Sequence, residues 1–253
     1  MIRKRQPDPS WRVGRPIAHR GLHDPARGLV ENSIGAARAA IERGYAIECD
    51  LRLSRDDQVF VFHDDSLDRL TQAQGAFAHR NAAELEDIAF LNGGETIPTL
   101  RRWLAAVDGA APLILELKSD FSGDLSLAAA VAAALGDYPG PVALKSFDPA
   151  LIAALRAREA PWPLGIVAQS DYDDDDFRHL TPGQWRAMTR FTHAVETKPD
   201  FLSWRAADLP AAITAFARAC TPVPVMTWTI RSPAQAEVAY RHADQIVFEG
   251  FVA

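Results

Sequence analysis

Cysteine is nearly absent: Cys49 and Cys220 are the two thiols in a chain of 253 residues. Two thiols cannot build a disulfide framework, and their separation offers no zinc spacing. An excess of positive charge is also missing. Lys and Arg number 27 against 33 Asp and Glu, a formal net charge of −6. Binding to a nucleic-acid backbone wants a basic face, so that class of partner is excluded. No run of about 18 uninterrupted apolar residues occurs, so no stable membrane insertion is expected. The most apolar helical stretch, 125–135, is largely alanine and too short. Near the start, Gln6, Pro7, Asp8 and Pro9 stand where a signal peptide needs its apolar core, which points to a cytoplasmic location. Finally, the stretch after His19 reads RGLHDPARG and holds neither GxGxxG nor GxxxxGK[ST], the phosphate-cradling turns of nucleotide-binding sheets.

What is present is ordinary in bulk and informative in order. Hydrophobic residues make up 48% and charged residues 24%, which excludes wholesale disorder. Short runs rich in Val, Ile, Leu and Phe read as strands over 16–19, 46–51, 59–63, 113–118, 142–147, 164–169, 225–230 and 245–249, with a further one at 194–197 or 201–204. Helical patterns separate them. Asn32 stands as N-cap to a face of Ile34, Ala37 and Ile41 that Gly44 closes; Leu100, Leu104 and Val107 line another, closed by Gly109. Asp148-Pro149, Thr181-Pro182 and Ser232-Pro233 each put a capping residue before proline at the first helical position.

About eight strand–helix alternations with buried-looking strands argue for a parallel sheet covered by helices. An open sheet and a closed barrel both satisfy this, and the missing Gly-rich turn favours the barrel. The expected fold is a TIM-type (β/α)8 barrel forming a single domain over residues 1–253. A short, irregular excursion (64–96) follows the strand that ends at His63.

The strands carry charged residues where burial is expected. Glu48 and Asp50 sit inside AIECDLRL, Glu116 and Lys118 inside LILELKS, and His19 and His63 end their runs. Strand side chains alternate, so Glu48 and Asp50 share one face while Cys49 packs on the other; Glu116 and Lys118 also share a face. Buried carboxylates need partners or a metal. At the C-terminal strand ends of a barrel such residues ring the mouth where active sites lie. Three carboxylates without cysteine make a hard oxygen site suited to Mg²⁺ or Ca²⁺. Two imidazoles can serve as acid and base near neutrality. Counting Arg20, Lys118 and a divalent ion against the three carboxylates leaves one positive charge, a match for one phosphodiester anion.

At these residues the sequence resembles the glycerophosphodiester phosphodiesterase family. The matching pieces run in family order: AHRG at 18–21, ENS at 31–33, IECDLRLSRDDQVFVFHDDSLDRLT at 47–71, LELK at 115–118, SFDP at 146–149 and TWTI at 227–230. The resemblance implies a metal-dependent hydrolase, of the kind active in lipid metabolism, that splits glycerophosphodiesters into an alcohol and sn-glycerol 3-phosphate. It implies Glu48, Asp50 and Glu116 as ligands of a divalent metal, Mg²⁺ or Ca²⁺, and His19 and His63 as the acid–base pair. Arg20 and Lys118 would hold the phosphate, and Trp228 matches an aromatic residue near the substrate. Lysophospholipids or sugar phosphodiesters are alternative substrates of the same site. A non-catalytic phosphodiester-binding barrel is disfavoured because both histidines and all three presumed ligands are present.

Other features receive plainer readings. Where the family closes on Thr-Asp-x-Pro, this chain reads QIVFEGF, which puts Glu249 near that position. The loop 21–30 brings His23 and Asp24 toward the mouth. The acidic run from Asp171 to Asp176 lacks the glycine and terminal acid of a calcium loop and reads as solvated. His79, His179, His193 and His242 fall outside the strand-end pattern. Lys145 is a candidate phosphate contact whose face alternation does not decide. Trp162, Phe121 and Phe251 are candidates for an apolar entrance.

Overall fold

The structure is a computed structural model that describes residues 14–174 and 177–253. The readings placed on residues 6–9, and on Asp175 and Asp176, lie outside the described residues. The strands are β1 (Ile17–Ala18), β2 (Ala46–Leu53), β3 (Val59–Val61), β4 (Leu113–Leu117), β5 (Val142–Ser146), β6 (Leu164–Ala168), β7 (Phe201–Arg205), β8 (Val225–Ile230) and β9 (Gln245–Phe248). The helices are α1 (Ile34–Glu42), α2 (Ala82–Glu86), α3 (Leu100–Val107), α4 (Ser126–Ala134), α5 (Pro149–Ala157), α6 (Pro182–Thr189), α7 (Ala194–Thr197), α8 (Ala212–Cys220) and α9 (Pro233–Ala239). Eight strands run parallel, and β1 pairs with both β2 and β9, so the sheet closes on itself. This is the TIM-type barrel. The stretch 194–197 is a helical turn, and the strand lies at Phe201–Arg205.

Alternation builds the two layers. Cys49, Leu115, Leu144, Ile166, Leu202 and Phe248 point outward into the core shared with the helices. Ile17, Ala46, Ile114, Ala143, Phe201, Met226 and Val247 fill the barrel. Each large apolar side chain so buried stabilises the fold by roughly 1.5–3 kcal/mol. Gly165 on β6 makes room for one of them, since a Cβ at that position would overlap the Phe201 ring. The helices begin as their caps require: Asp148, Thr181 and Ser232 each accept a backbone N–H from the first turn ahead of a proline. For α1 the cap is Ser33, which accepts from the Ala36 N–H. Asn32 adopts a left-handed backbone (φ 61°) and turns its side chain elsewhere.

One strand departs from the expected order. β3 pairs antiparallel with β2 (Leu51 beside Val61, Leu53 beside Val59) and lies outside the ring. His63 therefore does not end a barrel strand. The excursion begins before this histidine and carries its own apolar cluster of Phe60, Phe62, Leu67, Phe77, Leu85, Phe90 and Ile97. Val59 and Val61 pack on the main core, so β3 is buried on both faces. Burial on both faces is the pattern of a parallel barrel strand, which is why the sequence run reads as one. Among the described residues, no helix is long and apolar enough to cross a membrane.

Gly165→Val should destabilise the fold by about 1–3 kcal/mol, because the barrel interior has no space for the added atoms. Urea unfolding midpoints of the variant and the parent check this; an unchanged midpoint contradicts the packing assigned to Phe201.

Candidate active site

The strand ends open on a cavity of about 950 Å³. His19, Arg20, Asp50, Glu116, Lys118 and Trp228 line it, and His63 reaches it from the excursion. Glu48, one pleat deeper than Asp50, is fully buried beside it. The structure thus brings together every residue singled out from the strands.

The three carboxylates form the floor. Glu48, Asp50 and Glu116 offer oxygens within 4.8 Å of one another, and all three side chains are buried. Asp50 is the most heavily braced. Its Oδ1 lies 3.0 Å from Lys118 Nζ, and its Oδ2 lies 3.3 Å from Arg20 Nε and accepts from Asn32 Nδ2 at 2.9 Å. The Asp50 N–H in turn donates to Asn32 Oδ1 (3.2 Å). Asn32 is therefore an anchor for Asp50, where the sequence had suggested a helix cap. Glu116 accepts from Lys118 Nζ (2.6 Å) and pairs through its other oxygen with Lys145 Nζ (3.0 Å). Glu48 accepts the Arg20 backbone N–H (3.1 Å) and faces Lys145 Nζ at 3.0 Å. Lys145 thus points inward to the carboxylates. Three cations face three carboxylates, so the cluster is formally neutral by itself.

The donor set fits a hard divalent ion. It consists of carboxylate oxygens with no sulfur or nitrogen, and Glu48 Oε1 is buried without a directed hydrogen bond. Glu48, Asp50 and Glu116 are the residues that would hold such an ion.

Each histidine has its own carboxylate. His19 Nδ1 lies 2.5 Å from Glu249 Oε2, and Arg231 holds the other Glu249 oxygen (2.8 Å). Burial would raise the Glu249 carboxyl, but His19 and His23 beside it hold it well below the usual range. His63 Nδ1 contacts Asp64 Oδ1 (2.7 Å), and Arg69 grips both Asp64 oxygens. Arg69 also binds Glu31, whose Oε1 accepts from Arg20 Nη1 at 2.6 Å. Glu31 therefore ties the two arginines together and does not itself line the cavity. The backbone carbonyl of His63 is fixed by Arg52 Nε (2.7 Å).

The opposite wall is apolar. Phe121, Phe147 and Phe177 line it with Trp228, whose ring meets Phe147 edge-on at 5.5 Å. Trp228 Nε1 donates to the Ser203 carbonyl (3.0 Å), so the residue is at once anchored core and cavity wall. Phe121 lines the cavity, whereas Trp162 and Phe251 pack against the main core. Asp24 caps a short 3-10 turn and does not line the cavity. Two residues set aside from sequence do line it: His179, and Asp174 of the acidic run, which approaches Arg205 at 3.7 Å. Arg69 and Asp64 were also unforeseen; their only signal was their place in the HDDSLDRLT segment.

Charge compensation on the floor is measurable through pH. Burial alone would raise the Glu116 carboxyl, yet Lys118 and Lys145 outweigh it and hold the group at about 2. Asp50 behaves alike, with Lys118 the leading counter-charge. The unfolded chain takes up protons near pH 4.5 that the folded carboxylates refuse. This stabilisation is therefore complete above that pH and lost as pH falls toward about 2. Lys118→Met should cost about 3 kcal/mol at pH 7, where it leaves buried charge uncompensated. The cost should be smaller at pH 3, where the variant's carboxyls protonate. Urea midpoints at the two pH values check this, and equal losses would contradict it.

The profile of the Glycerophosphoryl diester phosphodiesterase family matches residues 19–247. YhdW of Bacillus subtilis, provisionally named a glycerophosphodiester phosphodiesterase, is 28% identical over 193 residues, covering 72% of this chain and 75% of the relative. A glycerophosphodiester phosphodiesterase of Caldanaerobacter subterraneus is 36% identical over 91 residues, 33% of this chain and 36% of that protein. Among solved structures, an Oleispira antarctica phosphodiesterase in complex with the product sn-glycerol-3-phosphate superposes with a TM-score of 0.76. It is 23% identical, with 92% of this chain and 91% of that one covered. A glycerophosphodiester phosphodiesterase from Parabacteroides distasonis gives a TM-score of 0.72 at 22% identity, with 92% of each chain covered. The match over 19–247 takes in both histidines, the carboxylate floor and Trp228, and the chain belongs to the glycerophosphoryl diester phosphodiesterase family, a family of phosphoric diester hydrolases.

Proposed function

We propose that this protein hydrolyses glycerophosphodiesters to an alcohol and sn-glycerol 3-phosphate. In this reading a divalent ion, Mg²⁺ or Ca²⁺, is held by Glu48, Asp50 and Glu116, and His19 and His63 transfer the protons. The observation that carries the reading is one cavity holding a buried triple-carboxylate floor and two histidines, each oriented by its own carboxylate. The product bound to the Oleispira relative supports the substrate class.

The chemistry needs a proton removed from the attacking oxygen and one given to the leaving alcohol. With Glu249 on Nδ1 of His19 and Asp64 on Nδ1 of His63, each ring keeps Nε2 for the substrate. Arg20 and Lys118 face the cavity beside the carboxylates and would bind the phosphoryl oxygens, where their charge counts most as the transition state forms. A bound divalent ion would supply further withdrawal of charge from those oxygens.

A second reading has the same site act on lysophospholipids, and the apolar wall of Phe121, Phe147, Phe177 and Trp228 is what favours it. Turnover of glycerophosphocholine against lysophosphatidylcholine, read as alcohol and phosphate ester released, discriminates the two. Binding of glycerophosphocholine by metal-loaded protein without turnover between about pH 6 and 9 would overturn the enzyme reading in favour of a binding protein.

His19→Ala and His63→Ala should each lower kcat on the order of 10²–10⁴-fold, as loss of a proton-transfer group does. Release of sn-glycerol 3-phosphate is the assay, and retained activity removes that histidine from the pair. Chelation with EDTA should abolish turnover and added Mg²⁺ or Ca²⁺ should restore it; turnover unaffected by excess chelator refutes the metal assignment.

A further inference from the structure

Lys145 borders the cavity, yet its side chain is almost wholly buried against two carboxylates. It sits on β5 in register with Glu116 of β4 on one side and Gly165 of β6 on the other. Its side chain is 2% exposed, and its Nζ lies 3.0 Å from both Glu48 Oε1 and Glu116 Oε2. Those two carboxylates are its only ion-pair partners among the described residues. A buried ammonium away from such partners is strongly unfavourable, so the side chain is confined to this position. Lys118 differs: its side chain is 15% exposed at the cavity wall, where it can turn toward an incoming phosphate.

The remaining oxygens of the floor are already engaged. Glu48 Oε2 takes the Arg20 N–H, Glu116 Oε1 takes Lys118, and Asp50 is held by Lys118, Arg20 and Asn32. An ion drawn to this floor therefore meets a fixed positive charge on two of its three carboxylates. Lys118 can yield its oxygens by rotating outward, whereas Lys145 cannot withdraw.

We propose that Lys145 is an internal competitor of the divalent ion: its ammonium shares Glu48 and Glu116 with the metal, so the ion binds weakly and exchangeably. This rests on the metal reading above. The enzyme would then respond to the free concentration of the ion and would not carry a permanently bound one. The lysine also keeps the floor neutral between binding events, which preserves the carboxylate geometry for the next ion.

The test is isothermal titration of the full chain with MgCl₂ and with CaCl₂, comparing the parent with Lys145→Met and Lys145→Gln, both checked for folding by circular dichroism. Removing the competing charge should tighten the dissociation constant by about tenfold or more in a folded variant. Less than about a threefold tightening, or weaker binding, overturns the proposal while leaving the metal reading intact. If neither parent nor variants bind either ion, the metal reading fails and the proposal fails with it. Should both variants unfold, the parent decides: a dissociation constant tighter than about 100 μM overturns the proposal, and a weaker one supports it.

Discussion

Carboxylates buried in the mouth of a barrel must be neutralised, and most of what distinguishes this molecule follows from that requirement. Glu48, Asp50 and Glu116 are all buried, and no single partner could compensate three charges packed so closely. The answer is a set of cations of graded freedom. Lys145 is enclosed, Arg20 is steered by Glu31, and Lys118 stands at the wall of the cavity. The order matters because Lys118 both compensates the buried carboxylates and borders the cavity, whereas Lys145 is almost wholly buried between Glu48 and Glu116.

The same logic of paired charges reaches the histidines. Neither ring is held by the floor. Glu249, at the end of β9, holds His19, and Asp64, gripped by Arg69, holds His63. Glu31 links Arg69 to Arg20 and so connects the residues that hold His63 to an arginine that braces Asp50. Displacing one residue of this chain would be felt both at His63 and at the carboxylate floor.

Much of this was legible in the sequence, for reasons that can be stated. Strand alternation put Glu48 and Asp50 on one face and Cys49 on the other, and the buried thiol indeed lies in the outer core. Proline after a capping residue marked three helix starts. The failures share a different cause, contacts between segments far apart in the chain. Asn32 looks like a cap locally, yet a carboxylate 18 residues away claims its side chain. Val59–Val61 looks like a barrel strand because it is buried on both faces, but one of those faces belongs to the excursion's own cluster. His179 and Asp174 reach the cavity from segments whose local pattern is that of solvent-facing chain. Periodicity reports which way a residue points along its own element, not what waits for it there.

The antiparallel placement of β3 has a further consequence. His19 is delivered by a strand of the closed parallel ring, but His63 is delivered by a hairpin that pairs antiparallel with β2 and packs into an apolar cluster outside that ring. The span between the two imidazoles thus depends on how that cluster seats the hairpin against the ring. Apolar contacts weaken on cooling. For the acid–base pair proposed above, alignment then carries a temperature dependence of its own, separate from that of the bond-breaking step.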